Sequence, residues 1–378
     1  MGNDMNGLFF ASVWNIASRS VRRGMMVLLV VVASGVWGQD AERIVTGAER
    51  MEQYVMLARM HNTAVVANQA SMVGERHLVD TLMALGANVR VIFCPEHGFR
   101  GEAAAGAYVK DGVDEKTGIP IVSLYGNNKK PSQEVLRSYG IDYIIFDLQD
   151  VGCRFYTYIS TLHYVMEAAA EGGIPVTVLD RPNPNGHYVD GPVLEMKYKS
   201  FVGMHPVPVV YGMTIGEYAR MINGEGWLAD SMACPLHVVA LQHYTHDSVY
   251  RLPVNPSPNL RTPQAIALYP SLCLFEGTNI SVGRGTPYPF EVIGNTYKMD
   301  LRRVEVKPCF DLTYLLEMYR HTPKGKFFQK SNFFEKLAGN GKLRQQIENG
   351  VSEAKIRASW EPELTQFKAI RDKYLLYP

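Results

Sequence analysis

Apolar residues in this chain fall into short runs that end in polar turns, with amphipathic stretches between them. Thr63 to Asn68 reads as a first strand, and Glu75 to Leu85 as a helix with Leu78, Val79, Leu82 and Leu85 on one face. Val89 to Phe93 is a second strand and Ile119 to Leu124 a third. Pro131 opens a helix to Tyr139, Tyr143 to Phe146 is a fourth strand, Ser160 to Glu171 a helix closed by Gly172-Gly173, and Pro175 to Leu179 a fifth strand. This alternation predicts a parallel sheet with right-handed crossovers. Past about Gly203 the rhythm changes: prolines cluster at 253, 256, 258, 263 and 270, which marks ordered turns. Helices are expected at Thr214 to Asn223, where Thr214 and Glu217 have capping-box spacing, and at Asp311 to Tyr319 and Phe327 to Leu337. The pattern therefore predicts an α/β protein with a sheet domain over 39–203 and a smaller α/β domain over 204–378.

The 378 residues and 47% hydrophobic content are enough for substantial cores, and the formal net charge of +1 gives none of the basic stripe a nucleic-acid binder needs. Arg19, Arg22 and Arg23 precede an apolar run from Met25 to Val36, too short to span a bilayer comfortably, and Val36-Trp37-Gly38 puts small residues where a signal peptidase reads. Residues 1–38 are thus expected to be a secretory signal. The mature protein is expected to be exported to the periplasm without stable membrane insertion. Five cysteines show no CxxC or zinc spacing, and Cys94, Cys153 and Cys273 sit in apolar runs that suit buried thiols.

Chemistry collects where strands end. The first strand leads into Asn68-Gln69-Ala70-Ser71, and the second into Cys94-Pro95-Glu96-His97-Gly98-Phe99-Arg100-Gly101. The fourth leads into Asp147 through Tyr158, with Asp147, Asp150, Arg154, Tyr156 and Tyr158, and the fifth into Asp180-Arg181-Pro182-Asn183-Pro184. Ligands of open α/β sheets bind at that edge. The plain alternative for the Asp147 segment is a structural ion pair. In the second half, Asn255 through Thr262 and Phe275 through Thr286 carry Asn259, Glu276, Asn279 and Arg284 in glycine-rich turns suited to hydroxyl and carboxylate recognition.

No GxGxxG or GxxxxGK[ST] follows the first strand, so the sheet is Rossmann-like without a nucleotide cofactor. His243 and His246 form an HxxH-like pair in a turn with Asp247, but no third ligand group stands nearby and the context is not helical, so no metal is expected, and there is no GxSxG elbow. Carboxylate chemistry remains. Glu96, between a proline and a histidine just past a buried strand, is the candidate acid. Its partner is open among Asp147, Asp150, a tyrosine and Glu276, or a 2-acetamido group of the substrate.

Taken together, Pro95 through Gly101, Asp147 through Tyr158, Asp180 through Pro184, Pro256-Ser257-Pro258-Asn259-Leu260, Phe275 through Asn279 and Gly283-Arg284-Gly285-Thr286 resemble the exo-β-N-acetylmuramidases of peptidoglycan turnover, from about Thr46 to the C-terminus. The resemblance implies a Rossmann-like domain joined to a smaller α/β domain with the cleft between, and release of terminal N-acetylmuramic acid from the non-reducing end of a peptidoglycan-derived saccharide. It makes Glu96, Tyr156 and Asp150 the catalytic candidates. Asn68, His97, Arg100, Asp147, Arg154, Tyr158, Asn183, Asn259, Glu276, Asn279 and Arg284 are the substrate-binding candidates, with Arg154 or Arg284 reading the lactyl carboxylate. The chain departs from the family after Phe290 through Asn295, where only Thr296 to Phe310 stands in place of a longer insert. The rival reading is a non-enzymatic sugar-binding clamp using the same cleft; an esterase or deacetylase is weakened by the missing elbow and metal set.

Overall fold

β-Branched and aromatic runs form the strands, because such side chains pack well on a pleated surface. The computed structural model describes residues 42–100 and 110–378; the expected signal segment and Gly101 lie outside them. The strands are β1 Thr63–Ala67, β2 Met72–Val73, β3 Arg76–His77, β4 Val89–Cys94, β5 Gly112–Val113, β6 Pro120–Ser123, β7 Tyr143–Asp147, β8 Val176–Leu179, β9 Leu236–Val239, β10 Val292–Gly294 and β11 Lys298–Asp300. One sheet has the order β5-β6-β4-β1-β7-β8-β9, with β5 antiparallel and every other neighbour parallel. Counted along the chain, its parallel strands lie in the order 3-2-1-4-5-6, the dinucleotide-fold order, so the strand order reverses between β1 and β7. β9 completes the sheet from beyond residue 203.

Successive strand residues face opposite sides of the sheet. Val65, Ala67, Ile92 and Ile145 meet α1 (Val55–Met60) and α2 (Leu78–Ala84). Ala64, Val66, Phe93, Ile144 and Phe146 meet α3 (Gln133–Ser138), α4 (Tyr158–Gly172) and α5 (Ile215–Gly224). That second core continues without a break into the C-terminal half. It takes in α6 (Pro263–Leu272), α7 (Thr313–Arg320), α8 (Phe333–Ala338), α9 (Lys342–Glu348), α10 (Glu353–Ala358) and α11 (Glu361–Arg371). Val45–Pro378 is accordingly one compact unit. The second half is mainly helical, with the β10–β11 hairpin as its small sheet.

Two expected helices start late for visible reasons. Residues 72–77 form the β2–β3 hairpin before α2, and the His77 ring then caps that helix by accepting from the Val79 amide. Phe327 and Phe328 stay extended because the first accepts from the Asn279 amide and the second bridges Thr278, so α8 begins only at Phe333. The Thr214–Glu217 capping box forms as its spacing predicts. The five cysteines are unpaired, all but Cys309 buried. Among the described residues no helix is long and apolar enough to cross a membrane.

Candidate active site

β4 ends in a tight turn: the Gly98 amide donates to the Pro95 carbonyl at 3.1 Å, with His97 at φ +75°. A positive φ at the third position is the type II pattern, normally left to glycine or asparagine, so the turn holds His97 in a rarely populated conformation. It projects Glu96 into a cleft of 240 Å³. Both Glu96 oxygens accept side-chain hydrogen bonds, from Tyr125 at 3.1 Å and Thr157 at 3.0 Å. Tyr125 follows β6 and Thr157 precedes α4, so three strand ends converge on one carboxylate. Burial first, and Glu96 second, raise the Tyr125 hydroxyl above its ordinary value, which keeps it a donor.

The opposite wall comes from the second half. Ser257, Asn259 and Leu260 line it from a loop, with Tyr269 and Cys273 from α6 and its end, Glu276 just beyond, and Arg284 and Phe290 from the next turns. Arg284 donates to Glu276 at 2.5 Å, with side chains 39% and 22% exposed. Burial raises the Glu276 carboxyl and the Arg284 charge opposes it, while Glu96 adds to the rise. Burial works against the Arg284 charge, yet Glu276 outweighs it and holds the guanidinium above its usual range. Gly283 and Gly285, at φ +75° and +80°, give the backbone the left-handed turns that present Arg284.

Glu96, His97, Tyr156, Asn259, Glu276 and Arg284 therefore meet in one cleft. Asn68 and Tyr158 stand behind it: Asn68 Nδ2 donates to the Tyr158 hydroxyl at 2.7 Å, and the Tyr158 ring packs edge-on against Tyr156 at 4.7 Å. The Tyr156 hydroxyl donates to the Pro256 carbonyl at 2.7 Å, tying the two halves together.

The remaining candidates are placed elsewhere. Arg100 makes bonds of 2.9 and 3.0 Å to the two Asp114 oxygens and lies over the Phe99 ring, anchoring its own loop. Asp147 is fully buried against Arg181 at 2.5 and 2.8 Å, the structural ion pair of the plain reading, with the partner supplied by the loop after β8. Asp150 is buried and accepts from the Gly152 amide at 2.6 Å and from the Tyr211 hydroxyl; burial pushes its carboxyl up to about 6 despite those bonds. Arg154 is 0% exposed and donates to the carbonyls of Pro192, Val207 and Leu337 at 2.7, 2.7 and 2.9 Å. Burial brings its guanidinium down to about 10, and no carboxylate pairs with it among the described residues. Asn183 holds the Met213 carbonyl and the Asn185 amide, and Asn279 holds the Lys326 carbonyl. Arg100 and Asp147 are thus held in ion pairs, while Asp150, Arg154, Asn183 and Asn279 satisfy backbone groups, the commonest fate of buried polar side chains.

Tyr125, Thr157, Phe201, Tyr269 and Phe290 also line the cleft, outside the candidates read from the sequence. Tyr125 had a signal: it sits just past the third strand, where the rule applied to the other strands also holds. Among the described residues no group of three or more His, Cys, Asp or Glu could hold a metal ion, and His246 is engaged by Glu217 and the Pro378 carbonyl.

Models of the two halves of the exo-β-N-acetylmuramidase NamZ match this chain, the N-terminal one over residues 63–264 and the C-terminal one over 267–307 and 299–377. The chain belongs to the NamZ family of exo-β-N-acetylmuramidases. It is 42% identical over 334 residues to a peptidoglycan β-N-acetylmuramidase of Bacillus subtilis, covering 76% of this chain and 79% of that protein. Two crystal structures of DUF1343 family proteins from Bacteroides fragilis superpose with TM-scores of 0.81 and 0.78, at 42% and 27% identity, each over 89% of this chain and 99% of the other. The C-terminal model matches in two stretches that overlap at residues 299–307.

Proposed function

We propose that this cleft hydrolyses the β-glycosidic bond of terminal N-acetylmuramic acid at the non-reducing end of peptidoglycan fragments, with Glu96 protonating the leaving oxygen. The observation that carries the reading is the convergence of Tyr125 and Thr157 on Glu96, across from the Glu276–Arg284 pair, in one small cleft of a NamZ-family protein. Pockets for drug-sized ligands run to about 300–1,000 Å³, so 240 Å³ suits one sugar and not an extended glycan, as exo action requires. Arg284 has the planar, bidentate chemistry to take the lactyl carboxylate, exchanging Glu276 for substrate. Tyr156 offers a ring face and edge to the sugar. The second catalytic group is Glu276 or the substrate's own acetamido oxygen, since Asp147 and Asp150 are enclosed by other partners.

Proton NMR during turnover of a chromogenic β-N-acetylmuramide tests this. Release of the sugar, with one anomer formed first, is expected; binding without release would leave only a sugar-binding clamp. Export to the periplasm is part of the proposal, supported by the Arg22-Arg23 start and the apolar run before Gly38. A secreted form whose mass includes residues 1–38 would contradict it.

A further inference from the structure

A second cavity, of 690 Å³, lies on the other side of one cleft wall. The loop from Asn255 to Thr262 is shared. Ser257, Asn259 and Leu260 line the cleft, whereas Asn255, Arg261 and Thr262 line the cavity. That loop is held in place, because Gln69 Nε2 donates to the Asn255 and Pro256 carbonyls at 3.1 and 3.3 Å and Tyr156 donates to the latter. The cavity is thus a fixed neighbour of the site and nearly three times its size.

Its charge is mainly positive. Arg251 is exposed in its wall, with no hydrogen-bond or ion-pair partner among the described residues. Arg261 spends only Nε, on the Pro258 carbonyl at 2.6 Å, and its terminal nitrogens have no partner among the described residues. Asp247 is the one carboxylate in the wall among the described residues, and burial lowers the basicity of His187 beside it. Two guanidiniums in the wall of one open cavity suit carboxylates, which they bind in a bidentate fork.

The cleft takes one sugar, so the rest of a peptidoglycan fragment must leave it along the surface. We propose that the 690 Å³ cavity is an accessory subsite that takes a carboxylate-bearing part of a longer fragment while its terminal sugar occupies the cleft. This deepens the muramidase reading and rests on it. The carboxylate has two sources, the lactyl group of a following muramic acid or the peptide stem.

The test compares wild type with the double variant Arg251→Ser/Arg261→Ser on three substrates: a chromogenic β-N-acetylmuramide, a peptide-free glycan oligomer and a peptide-bearing one. Both side chains are exposed, so the fold should survive, and thermal unfolding checks that. The double variant should lose about tenfold in kcat/KM on long fragments, mainly through KM, and less at high salt, while the small muramide changes less than about twofold. Loss on both oligomers assigns the lactyl carboxylate, and loss on the peptide-bearing one alone assigns the stem. The double lysine variant, which keeps the charge, should retain most of the wild-type preference. Equal kcat/KM on long fragments for wild type and serine variant overturns the subsite, as does an equal loss on the small muramide. If wild type does not hydrolyse the small muramide, the muramidase reading falls instead. Calorimetric binding of the uncleaved peptide-bearing oligomer to both forms then decides the subsite, equal affinity overturning it.

Discussion

Among the described residues Glu96 is the one carboxylate of the cleft that receives two side-chain hydroxyl donors, and both come from elements that the sheet aligns. A glutamine there keeps the shape but cannot donate a proton to a leaving oxygen. Glu96→Gln should therefore lower kcat by roughly 100- to 10,000-fold with a wild-type unfolding curve; near-normal turnover would remove Glu96 from the mechanism. The two arginines should part company under the same substitution. Arg284 is exposed and pairs only at the cleft, so Arg284→Met should leave thermal stability nearly unchanged. It should erode the preference for β-N-acetylmuramides over β-N-acetylglucosaminides by weakening the muramide, because the site then lacks a partner for the lactyl charge. Arg154→Met removes donors from three buried carbonyls, each worth about 1–3 kcal/mol when left unpaired. It should lower the melting temperature markedly and scale both substrates alike. Ratios of kcat/KM in the two variants, read beside their melting temperatures, separate the roles; a selectivity change in Arg154→Met alone would reverse them.

At the scale of elements, the connection from β7 to α4 sets the site. It begins with Asp147 locked to Arg181 and ends with Thr157 on Glu96, and its bend depends on Gly152. Gly152 has φ +72°, and a Cβ there would lie 2.2 Å from Asn183 Oδ1. Asn183 cannot withdraw, because its amide holds the Met213 carbonyl and its oxygen the Asn185 amide. Gly152→Ala should thus destabilise the protein by about 2 kcal/mol or more and disturb Tyr156 and Thr157. Urea unfolding alongside turnover measures this. An unchanged midpoint would show that the loop relaxes without cost.

Across the whole molecule, buried carboxyls give stability a pH dependence. Burial raises Asp150 from 3.8 to about 6, and Asp180 to about 7. A group whose folded value is raised binds more protons when folded, so its contribution is complete below about pH 4 and is lost as pH rises through the folded value. These two carboxyls therefore pull the unfolding free energy down between about pH 4 and 7, against the buried His163 and His205, whose lowered values pull it up as pH rises toward the ordinary imidazole range. Asp150→Asn, neutral throughout, should flatten the first part of that slope, by up to about 3 kcal/mol for a shift of this size. Denaturant titrations at several pH values check it, and parallel curves for wild type and variant would show that Asp150 does not titrate there.

The sequence by itself determined the alternating elements, the edge of the sheet that carries chemistry, and the motifs around Glu96, Tyr156, Glu276 and Arg284. Each of these depends on local periodicity or on residues a few positions apart, which a chain displays directly. It did not show the short strand Leu236–Val239, whose place is made by its neighbour Val176–Leu179, nor the run of short helices after Asn340, which lean on a core built elsewhere. Tertiary structure alone decided which charged groups of one motif reach the cleft. Asp147, Asp150 and Arg154 lie within a few residues of Tyr156 and look equally available in sequence. In the fold, Arg181, Tyr211 and three carbonyls between 192 and 337 claim them, because a buried charge or dipole must take whatever partner the packing brings near. Glu276 and Arg284 come instead to face Glu96 from the other half of the chain, across a gap that no spacing in the sequence records.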